Sequence, residues 1–426
     1  WNETMQAVRA ILLAATTSVV AVTGLSGSSL AETPAQAQAT NCQNTGSFER
    51  WLGEFRKEAL ASGISRQTVS RVLDDMTLDQ GIISRDRKQS FFAQTFTAFS
   101  GRLISGGRIK NGQARLKQHA DLFARVEKEY GVPGPVIAAF WALESDFGAG
   151  MGDLSVLRSL ATLAYDCRRG EMFRKEFMAA LRIVDRGDLQ PSEMIGSWAG
   201  ELGQTQFLPT HYLTYAVDFD GDGKRNLLKS VPDVIASTAN FIKSLGWRAG
   251  EPWLQEVRVP QTLQWDQADL AIQHPRSKWA EWGVKDIHGQ PVKKDDLPAS
   301  LLLPMGRFGP AFLAYPNFQI YPKWNQSLNY CITAAHLATR LEGAPAFSKG
   351  SQPIEELSYE QGKELQRLLI KKGFFNGEVD GKIGAGTRAA VKAAQMKLGL
   401  PADSYPTPDL LERLGGRVSR ARADKD

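Results

Sequence analysis

The stretch that decides how the centre of this chain folds reads Val136-Ile137-Ala138-Ala139-Phe140-Trp141-Ala142-Leu143-Glu144-Ser145-Asp146-Phe147-Gly148. Eight apolar residues run without a break up to one carboxylate, and Pro133 and Pro135 precede them. Proline suits the first turn of a helix, which needs no amide donors, and glycine favours a helix end. The pattern therefore predicts a helix that begins near these prolines, ends at Gly148 and is buried on all sides.

Glu144 is the candidate for chemistry on this helix. Phe140 and Trp141 precede it by four and three residues, so the carboxyl group shares a helix face with two aromatic rings. Burial and the negative end of the helix dipole both disfavour a carboxylate, so we expect a raised pKa for Glu144. A carboxylic acid that keeps its proton near neutral pH can protonate a leaving group. The alternative is a structural glutamate paired with a basic residue.

Length and composition restrict the class of protein. A chain of 426 residues is too long for one core and suggests two or three domains. Its 23% charged and 42% hydrophobic residues are ordinary for a soluble globular protein. The net charge of +5 favours anionic polymers, but no basic block interleaved with aromatic residues indicates nucleic acid.

Residues 1 to 39 have the pattern of a signal peptide region. Arg9 supplies positive charge, and residues 10 to 25 are apolar but too short and too rich in Thr, Ser and Gly for a stable membrane span. Ser29-Leu30-Ala31 and Ala35-Gln36-Ala37 are cleavage candidates. We therefore expect an exported protein without a stable membrane span.

The rest of the chain divides into regions that differ in composition and residue pattern. Residues 40 to 341 form a mainly α-helical region, interrupted at about 252 to 322 by short alternating segments that predict a small β-containing subdomain. Residues 342 to 354, rich in Gly, Ser, Pro and Ala, are expected to be a linker. Residues 355 to 415 are predicted to be a compact, independently folding helical module, and residues 416 to 426 a basic tail.

A second chemical signal lies at residues 196 to 209. Three glycines in eight residues allow a backbone or a ligand to approach closely, while Ser197 and Gln206 add neutral groups suited to sugar hydroxyls and amides. The alternative is a tight packing joint between helices. The five scattered histidines make no His-Glu-x-x-His pattern, and neither a Gly-x-Ser-x-Gly elbow nor a phosphate-binding glycine loop is present.

An acidic loop provides a candidate metal site. Asp218, Asp220 and Asp222 occupy alternate positions and a glycine follows at position six, as in the first half of an EF-hand loop. Position twelve is Lys229, so the usual bidentate glutamate is missing. The alternative is an Asx-turn loop that binds no ion.

Together these motifs resemble the membrane-bound lytic murein transglycosylase B family over roughly residues 45 to 340. The resemblance rests on Ala-Leu-Glu-Ser at 142 to 145 and Gly-Ser-x-Ala-Gly-x-x-Gly-x-x-Gln-Phe-x-Pro at 196 to 209, and continues through Ala161-Thr162-Leu163, Arg168-Arg169 and Gly246-Trp247. It implies a goose-lysozyme-like helical core with Glu144 as the sole catalytic acid and base. The positions that it places along the sugar cleft are Ser197, Gln206, Arg168, Arg169, Trp324, Asn325 and Tyr330, with Trp324 standing where the family commonly has Tyr.

The implied reaction cleaves the MurNAc-GlcNAc bond of peptidoglycan without water or a cofactor and leaves 1,6-anhydro-MurNAc ends. The resemblance also implies a structural calcium ion held by Asp218, Asp220, Asp222, the backbone carbonyl of Lys224 and a later carboxylate, Asp233. The implied location is the periplasm, at the cell wall. The alternatives are a hydrolytic muramidase and a non-catalytic scaffold that binds peptidoglycan.

The C-terminal module resembles the three-helix peptidoglycan-binding domain, through Gly373-Phe374-Phe375-x-Gly377 and Asp380-Gly381-x-x-Gly384-x-x-Thr387. Beside a murein-cleaving region, this favours wall binding over a simple packing role. Cys42, Cys167 and Cys331 make no metal spacing. Because Cys42 opens the expected mature chain and Cys167 precedes the arginines of the implied cleft, we predict a disulfide between these two, with Cys331 packed as an apolar residue.

Overall fold

The structure, a computed structural model, describes residues 44, 46 to 87 and 94 to 417. The predicted signal peptide region and Cys42 lie outside these residues. Among the residues described, no helix combines the length and the apolar character needed to cross a membrane.

The described helices are α1 (Phe48–Ala61), α2 (Arg66–Leu73), α3 (Gln80–Arg87), α4 (Phe96–Leu103), α5 (Gly106–Gln118), α6 (Ala120–Tyr130), α7 (Gly134–Ser145), α8 (Val156–Tyr165), α9 (Gly170–Arg186), α10 (Pro209–Tyr215), α11 (Val231–Ser244), α12 (Arg276–Glu281), α13 (Tyr321–Trp324), α14 (Leu328–Leu341), α15 (Tyr359–Lys371), α16 (Ala385–Lys397) and α17 (Pro408–Arg413). The strands are β1 (Leu154–Ser155), β2 (Ile195–Gly196), β3 (Leu254–Arg258), β4 (His274–Pro275), β5 (Lys285–Asp286), β6 (Pro298–Leu302) and β7 (Ala311–Ala314). The predicted mainly α fold with a small β-containing part and a C-terminal helical module is confirmed.

The described residues form two compact units, and the first contains residues 44, 46 to 87, 121 to 130 and 140 to 244. Its centre is α9, which packs against α8 and α10. Phe177 of α9 is fully buried and its ring stacks on Phe55 of α1 at 4.6 Å between centroids. Serine side chains begin several helices, since Ser47 and Ser155 each accept a hydrogen bond from an amide in the first turn.

Helix α7 carries Glu144 and follows the predicted pattern. It begins at Gly134, directly after Pro133, and every residue from 136 to 145 is buried. The helix ends at Ser145, three residues before the predicted end. The reason is that Asp146 and Phe147 both adopt left-handed backbone conformations, at φ of 52° and 60°, before Gly148 continues the turn at 91°.

The second unit contains the described residues 94 to 120, 131 to 139 and 245 to 417. It contains a five-stranded antiparallel sheet in the order β4-β6-β7-β3-β5, formed within the segment for which strands were predicted. Trp279 of α12, fully buried, packs in the core of this sheet, and its indole nitrogen donates to the carbonyl of Ala299 at 2.9 Å.

The C-terminal module of this unit, helices α15 to α17, is built around Leu365, Leu369, Val391 and Leu411. Arg388 of α16 donates hydrogen bonds to the carbonyls of Leu303 and Pro304, which follow strand β6, at 2.6 and 3.1 Å. The segment predicted as a linker packs on the same unit, because the ring of Phe347 lies 5.2 Å from that of Phe96 and 6.2 Å from that of Phe312.

Candidate active site

Glu144 lies in the last turn of α7, and only 2% of its surface is exposed. Trp141, one turn earlier on the same helix, donates its indole N–H to the side-chain oxygen of Gln204 at 2.8 Å. Phe147 places its ring edge-on to that indole at 5.3 Å. The predicted combination of a buried carboxyl group and aromatic neighbours is therefore present in the first unit.

The turn after Glu144 is held by Ser145. Its hydroxyl donates to the backbone carbonyl of Gln204 and accepts from the amide of Gly148 at 2.8 Å. The amide of Gly150 donates to the carbonyl of Ser145 at 2.8 Å. These bonds keep the chain folded back directly after the carboxyl group.

The glycine-rich segment 196 to 207 is a tight loop. A Cβ on Gly196 would lie 2.1 Å from the carbonyl oxygen of Glu201, and one on Gly203 would lie 2.7 Å from that of Leu227. Leu202 and Phe207 exchange backbone hydrogen bonds at 2.8 Å. Only glycine allows these backbones to come so close. The glycines therefore permit the close backbone approach that the sequence predicted, and they also form a tight packing joint.

Ser197 and Gln206, the predicted sugar-binding residues of this loop, are both buried. The Ser197 hydroxyl accepts from the amides of Ala199 and Glu201 and donates to the carboxylate of Glu201 at 2.9 Å. Gln206, at a φ of 52°, donates to the carbonyls of Met151 and Gly203. Its side-chain oxygen is buried and has no hydrogen-bond partner among the described residues, so this acceptor is available to a ligand.

Arg168 and Arg169 lie at the start of α9 and share one buried carboxylate, Asp86 of α3. Arg168 binds it through two nitrogens, both at 2.6 Å, and Arg169 donates to one of the same oxygens. Burial lowers the pKa of Arg169. The neighbouring Arg87 pairs with Asp166 at 2.6 Å. The two predicted cleft arginines are thus brought together, with part of their charge neutralised by Asp86.

The second unit contains Trp324, Asn325 and Tyr330, which lie where α13 ends and α14 begins. All three are buried, at 7%, 1% and 1% exposure. The side-chain oxygen of Asn325 accepts from the amide of Ser327 at 2.9 Å. Its side-chain nitrogen is buried without a hydrogen-bond partner in the described part of the chain, which leaves a donor for a ligand.

The acidic loop brings its first three carboxylates together. One oxygen from each of Asp218, Asp220 and Asp222 lies within 4.8 Å of the other two, and Asp220 and Asp222 are exposed. Lys224 donates its amide to Asp222 at 2.8 Å. Lys229, at position twelve, pairs with Glu193 at 2.7 Å. Hard carboxylate oxygens at this spacing have the donor chemistry that calcium prefers.

Asp233, the predicted closing ligand, has a different environment. It is fully buried, and its two oxygens accept from the amides of Phe219 at 2.8 Å and Asn226 at 2.7 Å. Burial raises the pKa of this carboxyl group. In this structure the carboxylate of Asp233 therefore closes the loop by accepting from two of its backbone amides, and its role as a metal ligand stays a prediction.

Several residues of the site carry no sequence signal of their own. Gln204 and Glu201 stand at variable positions of the glycine-rich motif, although Glu201 is four residues from the serine that it binds. Asp86 is 82 residues before Arg168. An acidic residue between Arg85 and Arg87 is an ordinary helix-surface pattern, and nothing in it indicates a buried partner for two distant arginines.

Comparison with known proteins places these features in a family. The family model of the transglycosylase SLT domain matches residues 47–339, and that of a peptidoglycan binding domain matches residues 358–414. Membrane-bound lytic murein transglycosylase B of Escherichia coli (strain K12) is 30% identical over 243 residues, which cover 55% of this chain. The chain spans 64% of the length of that curated relative.

Solved structures agree with this. The crystal structure of SltB3 from Pseudomonas aeruginosa in complex with NAG-anhNAM-pentapeptide is 44% identical, with a TM-score of 0.81, and the match covers 87% of this chain and all of that one. The Escherichia coli lytic transglycosylase Slt35 in complex with calcium is 27% identical, with a TM-score of 0.58, over 68% of this chain and 92% of that one. Since the SLT model spans most of the chain and includes Glu144 and the glycine-rich loop, the chain belongs to the transglycosylase SLT domain family and carries a peptidoglycan-binding domain behind that region.

Proposed function

We propose that this protein is a lytic transglycosylase that cleaves the MurNAc-GlcNAc β-1,4 bond of peptidoglycan. The observation that carries the proposal is the placement of Glu144, a buried carboxyl group at the end of an apolar helix, within the region matched by the SLT domain. The anhydro-muramyl ligand of SltB3, which is 44% identical, supports the anhydro product.

Glu144 acts first as an acid and then as a base. Its proton passes to the glycosidic oxygen, the bond from that oxygen to C1 of MurNAc breaks, and the N-acetyl group stabilises the positive charge that develops at C1. The C6 hydroxyl of the same sugar then bonds to C1 and gives its proton to the Glu144 carboxylate. The acid is regenerated and no water is consumed, so one carboxyl group suffices where hydrolytic glycosidases use two.

Each unit, taken by itself, has neutral polar groups that suit a sugar polymer. The buried oxygen of Gln206 in the first unit and the buried side-chain nitrogen of Asn325 in the second each have a free hydrogen-bonding valence among the described residues. Such buried groups are normally paired, so both are natural partners for sugar hydroxyls and acetamido groups. Trp324 supplies a flat apolar face on which a sugar can stack.

In this proposal the C-terminal domain binds the wall and keeps the enzyme on its polymer, and the protein acts in the periplasm. Tethering to an insoluble substrate raises the local concentration of glycan near the site. The predicted signal peptide region supports export. Peptidoglycan is the proposed partner.

Exchange of the proposed acid tests the reaction. Glu144→Gln keeps the shape of the side chain but cannot deliver a proton, so release of anhydro fragments from purified sacculi should fall by about 10²- to 10⁴-fold. Glu176→Gln makes the same chemical change at another buried carboxylate of the first unit, which holds Thr210, and should retain activity. Mass analysis of the products separates the reactions, because hydrolytic ends are one water heavier than anhydro ends. Water-containing ends would establish a muramidase, and no release by the unaltered protein would leave a scaffold.

We also propose that Asp218, Asp220 and Asp222 hold a structural calcium ion. The clustering of their carboxylates and the calcium complex of Slt35 support this. Calcium that binds only the folded chain should raise the midpoint of thermal unfolding, by an amount that grows with its concentration. Asp220→Asn with Asp222→Asn should abolish the increase, whereas the exposed pair Asp75→Asn with Asp296→Asn should retain it. Equal melting curves in calcium and in chelator would contradict the proposal.

A further inference from the structure

We propose that Gln204 is the positioning residue of the reaction, because it fixes the segments on both sides of Glu144 and so sets the direction of the carboxyl group. The inference rests on the proposed function, in which Glu144 transfers the proton. Gln204 lies in the glycine-rich loop, is 8% exposed and is not itself placed to exchange a proton.

The side chain of Gln204 holds the helix before Glu144. Its oxygen accepts the indole N–H of Trp141 at 2.8 Å, and its nitrogen donates to the carbonyl of Leu228 at 2.9 Å. Trp141 lies three residues before Glu144, and residues at this spacing share one face of a helix. The side-chain amide of Gln204 therefore connects the helix face that carries Glu144 to the backbone at Leu228.

The backbone of Gln204 holds the chain after Glu144. Its carbonyl accepts from the hydroxyl of Ser145, the residue next to the acid, and its amide donates to the carbonyl of Leu227 at 2.8 Å. The next two residues, Asp146 and Phe147, have left-handed conformations that non-glycine residues rarely adopt. Such conformations persist only where the surroundings enforce them, and Ser145 and Gln204 supply that constraint.

Close packing keeps Gln204 in place. A Cβ on Gly148 would lie 2.7 Å from the Gln204 side-chain oxygen, so any other residue at this position would displace the side-chain amide. The N–H, the C=O and both side-chain polar atoms of Gln204 each have a protein partner. Because both polar atoms of its side-chain amide already bind protein groups, Gln204 acts through Glu144 and leaves sugar recognition to residues such as Gln206.

The test removes the amide and keeps the volume. Gln204→Met should lower kcat on soluble uncrosslinked glycan by about 10- to 100-fold, because displacement of a reacting group by about 1 Å can cost 10²-fold. KM should stay within about threefold, since the altered contact is not made to substrate. Trp141→Phe breaks the same hydrogen bond from its other end, so it should give the same separation of kcat from KM even if Gln204→Met does not fold.

A spectroscopic measurement checks the contact without relying on activity. The chain has 10 tryptophans, and the indole ¹H–¹⁵N signal of Trp141 is the one that Trp141→Phe removes. In Gln204→Met this signal should move to lower proton frequency as its hydrogen bond is lost. Phe55→Leu, a core substitution in the α1–α9 contact, is the control for destabilisation and should leave both kcat and the Trp141 signal unchanged.

The outcomes separate this inference from the proposed function. A wild-type kcat in both Gln204→Met and Trp141→Phe would overturn the positioning role and leave the transglycosylase proposal intact. An equal loss of kcat in Phe55→Leu would also overturn it, because destabilisation alone would explain the effect. Absence of anhydro product from the unaltered chain would overturn the proposed function, and the positioning role with it.

Discussion

Arg388 should decide whether the peptidoglycan-binding module stays attached to the rest of the second unit. Its half-buried side chain lies between the module and the loop after strand β6, and its guanidinium group donates to the carbonyls of Leu303 and Pro304 at 2.6 and 3.1 Å. Arg307 reinforces the contact from the other side, because it binds Asp403 of the module at 3.2 Å. A flexible, independently moving module would make no such buried contacts.

The expected cost of Arg388→Leu follows from the two carbonyls that it leaves without a donor. Each unsatisfied buried group costs about 1–3 kcal/mol, for a sum of about 2–6 kcal/mol. Part of this is regained because a buried charge is removed, and burial already lowers the pKa of Arg388. A net loss of about 3 kcal/mol would raise the population of the detached module by roughly 100-fold.

Limited proteolysis measures that population. Lys349 lies in the segment that joins the module to α14 and offers a trypsin site. If opening is rapid, the rate of cleavage follows the open fraction, so Arg388→Leu should be cut about 100-fold faster than the wild type. Arg413→Leu removes an exposed ion pair with Asp409 in the same module and should change the rate little. Cleavage of Arg388→Leu at the wild-type rate would refute the docking argument.

Two further predictions concern buried titratable side chains. Burial lowers the pKa of His336 from 6.5 to about 4, so between these values the unfolded chain binds a proton that the folded chain does not. The thermal midpoint should therefore fall as the pH drops from about 6.5 to 4, and calorimetry of His336→Phe should show a smaller fall. Cys167 is disulfide-bonded and Cys331 is free and buried, so thiol counting on the denatured, unreduced protein should find one reactive group, which peptide mapping should assign to Cys331.

The sequence was most informative where local rules decide the structure. The apolar run before Glu144 and the prolines before it are enough to predict a buried helix, and the structure has one from Gly134. The predicted C-terminal end of this helix was wrong because residues other than glycine can also end a helix. Asp146 and Phe147 take left-handed conformations that tertiary hydrogen bonds from Ser145 enforce, and local preference does not include such bonds.

Long-range pairing set the limit of prediction at the site. The two arginines at the start of α9 could be singled out by resemblance, but Asp86, which binds both, comes from α3 and is found only when the helices are packed. Ser197 shows the opposite case. Its carboxylate partner Glu201 is only four residues away. The sequence nevertheless predicted a sugar contact for Ser197, and nothing in it indicated that the hydroxyl would bind Glu201 instead.

We expect an ion in the acidic loop and proton transfer at Glu144 to be separable, and the surroundings of Asp233 give the reason. Asp233 accepts from the amide of Asn226, and the Asn226 side chain in turn accepts from the amide of Leu228 at 3.1 Å. The carbonyl of Leu228 in turn accepts from the side-chain nitrogen of Gln204. These bonds that support Gln204 join protein groups, while Asp220 and Asp222 face solvent. An ion bound by the exposed carboxylates would add stability to the loop, and its removal would leave the hydrogen bonds that orient the acid in place.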